Sequence, residues 1–183
     1  MMNGSVFRDM LRDAKLPERS VSICLRGDLA ADHENAERDL ATARRDTTDS
    51  LEGSGVGAYI DRIEKLQADM AEHTYPFRLR ALPRAAFREL IAGHPPRRDE
   101  AGEPVREDVA IGVDNSTFFN ALIRTCTIDP ELSEDEWQNL LANLLTDRQF
   151  SDLADAAWYV NRGEVDVPFS LAASLARRAT AGE

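Results

Sequence analysis

Two short segments in which polar and apolar residues alternate constrain the fold of this chain more than any other feature. They occupy residues 20–25 and 75–82, and the alternation in each indicates a strand with one buried face. Neither strand would be stable alone, so we expect the two to pair with each other. The long stretch between them would then be an insertion between paired strands, or would cover one face of a small sheet.

That intervening stretch is predicted to form a helical hairpin. A narrow apolar seam with spacings of three and four runs along its first half: Leu29, His33, Ala36, Leu40 and Ala43. The second half carries a similar stripe: Ile60, Ile63, Leu66 and Met70. Residues 46–57 are rich in Ser, Thr, Asp and Gly, which is typical of a loop. Asp28 is placed to cap the first helix, and the loop indicates that the two helices are antiparallel.

Four stretches of the chain are predicted to be distinct in organisation. Residues 1–16 form a leader, in which apolar residues at helical spacing indicate a short amphipathic helix before Pro17: Val6, Phe7, Met10 and Leu11. Residues 17–93 form an α+β sub-domain containing the helical hairpin. Residues 94–112, with three prolines and many charges, are predicted to be a linker in which the pair Arg97-Arg98 is solvated. Residues 113–183 form a helical sub-domain.

The last third of the chain has clear helix signals. Ser133 with Glu136 and Thr146 with Gln149 have the spacing of capping boxes, and each precedes an apolar stripe at helical spacing. A further helix is expected after Asp114, and another over residues 170–179 behind an extended link at 165–169. The predicted fold is therefore α+β and predominantly α-helical. It has a two-stranded sheet with a helical hairpin in the N-terminal part and a helical bundle in the C-terminal part.

Composition disfavours several kinds of partner. The net charge is −11, from 33 acidic and 22 basic residues, and such a chain repels nucleic-acid phosphates. No apolar run approaches the ~20 residues of a membrane span, and the start has no signal-peptide core. We therefore expect no nucleic acid, no membrane and a cytoplasmic location. Cys24 and Cys126 lie in apolar surroundings and are predicted to be free, buried thiols.

No catalytic, cofactor-binding or metal-binding constellation emerges from the motifs. The three histidines are scattered, and His33-Glu34 is not followed by the second histidine of a zinc motif. The acidic run 129–136 lacks the alternating ligands and glycine of an EF-hand loop. The glycines at 53–57 lack the Gly-Lys-Ser/Thr of a phosphate-binding loop. We therefore predict a binding protein and not an enzyme.

Aromatic residues of the C-terminal part are the candidates for partner binding. Core packing is their default interpretation, and the alternative is that they face a groove for a partner helix. The sequence leaves both open for the candidate residues: Phe118, Phe119, Trp137, Phe150, Trp158 and Phe169.

Several segments together resemble the tail assembly chaperones of tailed phages and prophages of actinobacteria. They are LPERSVSICLRGDL at 16–29, FRLRALPR at 77–84 with HPPR at 94–97, and LADAAW at 153–158 with NR at 161–162 and VDVPFS at 165–170. The resemblance covers about residues 16 to 175.

The resemblance implies a protein that binds the helical tape measure protein, assists recruitment of tail tube protein and is absent from the finished virion. It implies no catalytic residue and no cofactor, and a frameshifted longer form is common in the family. The alternatives are a virion structural protein, such as a head-tail connector or minor tail component, and an enzyme or regulatory adaptor. A homo-oligomer is left open.

Overall fold

The computed structural model describes residues 4–46 and 56–163. Helices and strands follow one another along the chain in this order: α1 (Gly4–Arg12), β1 (Glu18–Cys24), α2 (Gly27–Asp46), α3 (Val56–Glu72), β2 (Thr74–Arg80), α4 (Arg84–Gly93), α5 (Arg106–Ile111), α6 (Phe118–Cys126), β3 (Thr127–Asp129), α7 (Glu134–Asn139), a π-helical turn (Leu140–Leu144) and α8 (Asp147–Arg162). The protein is predominantly helical with a small antiparallel sheet, as the sequence predicts.

The sheet has three strands in the order β1-β2-β3. β1 and β2 pair over their whole length, from Glu18 opposite Arg80 to Cys24 opposite Thr74, which confirms the predicted strand pair. The third strand was not predicted, and the two-stranded sheet is corrected to three. β3 pairs with β2 beside an irregularity at Arg78 and Leu79. Three residues are too few to show an alternating pattern, and β3 directly follows the apolar stripe of α6.

One face of the sheet and the C-terminal helices enclose the main core. α8 packs against β1 and β2, and α6 packs against α8. Residues on both sides of the 94–112 segment contribute to the same apolar cluster, in which the least exposed large side chains are Ile23, Leu79, Val113, Phe118, Leu122, Ile123 and Leu153. The two predicted sub-domains therefore pack directly on each other.

The helical hairpin is an insertion between β1 and β2, and we call α2 and α3 together the arm. Its helices pack mainly on each other, with Leu29, Ala36 and Ile63 as the buried apolar residues. Most of the predicted loop at 46–57 lies outside the described residues. Asp28 lies inside the first turn of α2 and pairs with Arg26 at 2.6 Å, so its predicted position just before the helix is corrected.

Both predicted capping boxes are present. The Ser133 backbone N–H donates to Glu136 Oε2 at 2.7 Å, and the Thr146 N–H donates to Gln149 Oε1 at 3.0 Å. These bonds satisfy amides that a helix start leaves free. The predicted link at 165–169 and the helix at 170–179 lie outside the described residues. None of the described helices is both long and apolar enough to cross a membrane.

Candidate functional site

An open apolar groove lies at the end of the sheet where β1 leads into the arm. Its volume is about 310 Å³. The lining is apolar except for two polar side chains, Glu136 and Asn139, and the other lining residues are Leu25, Tyr75, Phe77, Pro130, Leu132, Leu140 and Leu144. Three of these apolar side chains are substantially exposed: Leu25 by 48%, Tyr75 by 41% and Leu144 by 55%. We call this site the groove.

The sheet supplies one wall of the groove. Tyr75 and Phe77 are two residues apart on β2, so their side chains point to the same face. Their rings meet edge to face at 5.9 Å, and Phe77 also lies 6.4 Å from the ring of Trp137. Phe77 is buried while Tyr75 is exposed. The wall therefore runs from the core out to the surface.

The π-helical turn supplies the opposite wall. The Leu145 N–H donates to the Leu140 carbonyl at 3.1 Å, five residues back, which is the wider spacing of a π-helix. Leu140 faces inward with 5% exposure, whereas Leu144 projects outward. The sequence shows a stripe of leucines here, but a stripe alone does not reveal which leucine lies beyond the core.

The rim of the groove is acidic. Of the acidic residues between 129 and 136, Glu136 lines the groove and Asp129 binds the lining residue Tyr75, whereas Glu134 pairs with Arg124. The Tyr75 hydroxyl donates to Asp129 Oδ1 at 2.8 Å, and this bond raises the pKa of Tyr75. Hydrogen bonds from Ser133 lower the pKa of Glu136, which keeps that carboxylate ionised at neutral pH. The groove therefore combines an apolar lining with a negative edge.

A second apolar surface lies on α1. Val6, Phe7, Met10 and Leu11 are each about half exposed, and no residue of this helix is buried. Helices shorter than about 12–15 residues are marginal in water, so an uncovered nine-residue helix gains little from its own hydrogen bonds. A surface of this kind is stabilised when something covers its apolar stripe.

A bidentate ion pair lies in the segment predicted to be a solvated linker. Asp108 on α5 is fully buried, and its carboxylate accepts two hydrogen bonds from the Arg97 guanidinium, at 2.8 and 2.9 Å. Arg97 also lies 3.0 Å from Asp114, and the Asn115 N–H donates to Asp108. Arg97 is exposed, as predicted, with 42% of its side-chain surface accessible, but the sequence did not predict that it pairs with a buried carboxylate.

The pKa values of this pair move in opposite directions. The Arg97 hydrogen bonds hold the pKa of Asp108 well below its ordinary value, and Asp108 raises the pKa of Arg97. Backbone donors at residues 97 and 115 also favour the ionised carboxylate. These contacts join the two ends of the loop between residues 97 and 115. We therefore assign the pair a role in holding the fold.

The predicted aromatic residues are spread through the core. Phe118 and Trp137 are buried, in agreement with their default interpretation. Phe119, Phe150 and Trp158 are half-buried against that core, and their role in partner binding stays a prediction. Phe169 lies outside the described residues. The Trp137 ring lies 6.4 Å from that of the groove residue Phe77, but the exposed groove residues Leu25, Tyr75 and Leu144 were not among the candidates.

The cysteines and histidines form no common site. Cys126 is buried and Cys24 half-buried, both as free thiols, and burial raises the pKa of Cys126. Within residues 4–46 and 56–163, no group of three or more His, Cys, Asp or Glu side chains is arranged to hold a metal ion. Comparison of the chain with protein-family models, curated proteins and solved structures found no match in any of the three.

Proposed function

We propose that this protein is a tail assembly chaperone of a tailed phage, and that it binds amphipathic helices of the tape measure protein in the groove. The single observation that carries the proposal is the groove itself, an exposed apolar site with the carboxylates of Glu136 and Asp129 at its edge. The resemblance of residues 16 to 175 to such chaperones supplies the identity of the partner.

The shape and chemistry of the groove suit one face of a helix. A volume of about 310 Å³ is at the lower end of the range for small-molecule pockets. Anchor side chains at positions i, i+3 or i+4, and i+7 of a partner helix would enter such a site one after another. Covering these side chains keeps the partner from aggregating until tail tube protein is recruited.

Co-expression with the tape measure protein of the same genome tests the proposal. We expect a soluble complex with the wild-type chain and loss of that complex with Leu144→Asp, which places a charge on the apolar wall formed by the π-helical turn. Val109→Asp is the matched control, because Val109 on α5 is 56% exposed, close to the 55% of Leu144. The proposal fails if the tape measure protein is equally soluble alone and no complex purifies.

Purified virions provide an independent test. A chaperone is expected to be absent from finished particles, and mass spectrometry of the particles measures this directly. A stoichiometric amount of the chain in virions would instead support a structural role, as a head-tail connector or minor tail component.

A further inference from the structure

A third partly exposed apolar surface lies at the end of the sheet away from the groove. α8 begins at the groove end, where the Gln149 side-chain amide donates to the Cys24 carbonyl at 2.7 Å. It ends at the opposite end of the sheet, where Asn161 Oδ1 accepts a hydrogen bond from the Leu82 N–H at 2.7 Å. The last turns of α8 therefore carry Trp158 to a region that the groove does not include.

Trp158 meets aromatic rings of two other helices there. Its ring lies 6.2 Å from that of Phe87 on α4 and 6.0 Å from that of Phe119 on α6. All three side chains are half-buried, as are Leu90 and Ile91, the other large apolar residues of α4. No residue of α4 is fully buried, so its apolar stripe is only partly covered. We call these five residues the patch.

The chain leaves α8 beside the patch. Arg162, the last residue of α8, places its guanidinium 4.6 Å from the centre of the Trp158 ring. The Gly163 N–H donates to the Tyr159 carbonyl at 2.6 Å, and a Cβ at Gly163 would lie 2.6 Å from the same oxygen. Only glycine has room for this close approach. The backbone is thus held against the last turn of α8, and the chain continues from a point next to Trp158.

The residues that follow have an apolar face of their own. Val165, Val167 and Phe169 alternate with polar residues and a proline in the link that the sequence predicts to be extended. Alternate side chains of an extended segment point to the same side. Such a segment can place all three apolar side chains on one surface and leave its polar side chains in water.

The patch lies within reach of this segment. Phe169 is the sixth residue after Gly163, and six residues of extended chain span up to about 20 Å. Trp158 is five residues before Gly163, about 8 Å back along the helix axis. The Phe87 ring lies 6.2 Å from the Trp158 ring. The segment can therefore cross the patch of its own molecule.

Charge favours the same contact. Arg84 and Arg88 lie along one edge of the apolar stripe of α4, whereas the single acid of that helix lies on its opposite side. Arg162 covers the tryptophan of the patch, and Asp155 on α8 is the acid closest to it in sequence. Three arginines thus face one aspartate around the patch. Two of the first three residues after Gly163 are acidic, which complements this excess of positive charge.

We propose that residues 164–170, which lie outside the described residues, dock on the patch of the same chain with Val165, Val167 and Phe169 against it. A short tether keeps the segment at an effective concentration in the millimolar range, so a weak contact is enough. Phe119, Trp158 and Phe169, three of the aromatic candidates for partner binding, then contact one another within the chain. The groove lies elsewhere, so this inference and the proposed function can fail independently.

Acrylamide quenching of tryptophan fluorescence in the full chain tests the proposal. The chain has two tryptophans, and Trp137 is only 6% exposed, so quenching reports mainly on Trp158. Phe169→Asp is expected to lower the ratio of docked to undocked segment by roughly 10- to 100-fold, which corresponds to burial of one large apolar side chain. The quenching constant should rise, and the emission should shift to longer wavelength.

Ser170→Asp is the matched control. It adds the same charge one position further on, on the other side of the alternation, and is expected to leave quenching unchanged. The effect of Phe169→Asp should disappear in a Trp158→Phe background. It should also be the same at protein concentrations from about 1 to 100 µM, because docking within one chain does not depend on concentration.

Four results would overturn the proposal. They are quenching of Phe169→Asp equal to that of the wild type, an equal effect of Ser170→Asp, an effect that persists without Trp158, and quenching that changes on dilution. The last result would show that the segment of another copy covers the patch.

Discussion

The arm and the body, by which we mean the sheet together with α4 to α8, are both mainly helical, but different contacts hold them together. In the body, α6 and α8 enclose large side chains against the sheet, including Phe118 and Leu153, neither of which is exposed. In the arm, α2 and α3 bury Ala36 fully, while Leu29 and Ile63 each keep 9% of their surface exposed.

Exposed polar contacts also join the two helices of the arm. Gln67 and His33 are joined at 3.2 Å, and Arg62 lies 3.8 Å from Asp39. Exposed contacts of this kind contribute little, typically under about 1 kcal/mol each. Both regions show helical periodicity in the sequence, but only the body has a large core. Helical periodicity alone therefore does not indicate how much the packing of a helix contributes to stability.

The largest expected effect separates the two regions directly. Leu153→Ala in the body is expected to lower the free energy of unfolding by about 3–5 kcal/mol, because it leaves a cavity in a closed core. Leu29→Ala in the arm is the matched change and is expected to lower it by about 2 kcal/mol, since its surroundings can relax. Urea unfolding followed by circular dichroism measures both. Equal losses would show that the arm is packed as firmly as the body.

A smaller effect concerns the ion pair that ties the 94–117 segment to the body. Asp108→Asn is expected to lower the melting temperature by roughly 5–10 °C at pH 7, since Arg97 loses the buried one of its two charged partners, Asp108 and Asp114. Glu100→Gln, at an exposed position of the same segment, serves as the control.

The pH dependence of that difference checks its electrostatic origin. The pKa of Asp108 is lowered from its ordinary value of 3.8 on folding, so the ionised carboxylate stabilises the fold above that value. This stabilisation is lost as the pH falls below about 4 toward the folded pKa. The melting temperatures of wild type and Asp108→Asn should therefore converge in acid. A difference that stays constant would show that packing, and not charge, is responsible.

The smallest effect tests whether the arm opens by itself. Gln67→Ala removes the contact with His33 and is expected to cost about 0.5 kcal/mol. Hydrogen exchange should speed up at amides of α2 and α3 and stay unchanged in α6 and α8, because the arm can open without the body. Glu64→Ala, at an exposed position of the same helix, is the control. Uniformly faster exchange throughout would contradict local opening.

Local signals in the sequence were sufficient for much of the fold. Polar and apolar residues alternate along β1 and β2, and Ser133 and Glu136 have the spacing of a capping box. Both patterns depend on residues that are close in sequence, and the structure confirms the strand pair and the capping box that they predict. β3 was missed because Thr127–Asp129 is too short to show a period.

The site depends on contacts that no local pattern encodes. Leu144 belongs to the groove only because a π-helical turn follows α7, and Tyr75 belongs to it because β2 ends beside Pro130 and Leu132. The Arg97–Asp108 pair joins residues eleven positions apart within a segment whose composition indicated only solvated charges.

The place of the arm in the chain also bears on how the protein folds. β1 and β2 are adjacent in the sheet, yet about fifty residues separate Cys24 from its partner Thr74. Closing so long a loop instead of a tight turn costs roughly 2 kcal/mol of chain entropy. If α2 and α3 pair first, they bring Cys24 and Thr74 together and shorten the effective loop. We therefore expect that pairing of α2 with α3 sets the rate at which β1 and β2 pair, although the arm is the less firmly packed region at equilibrium.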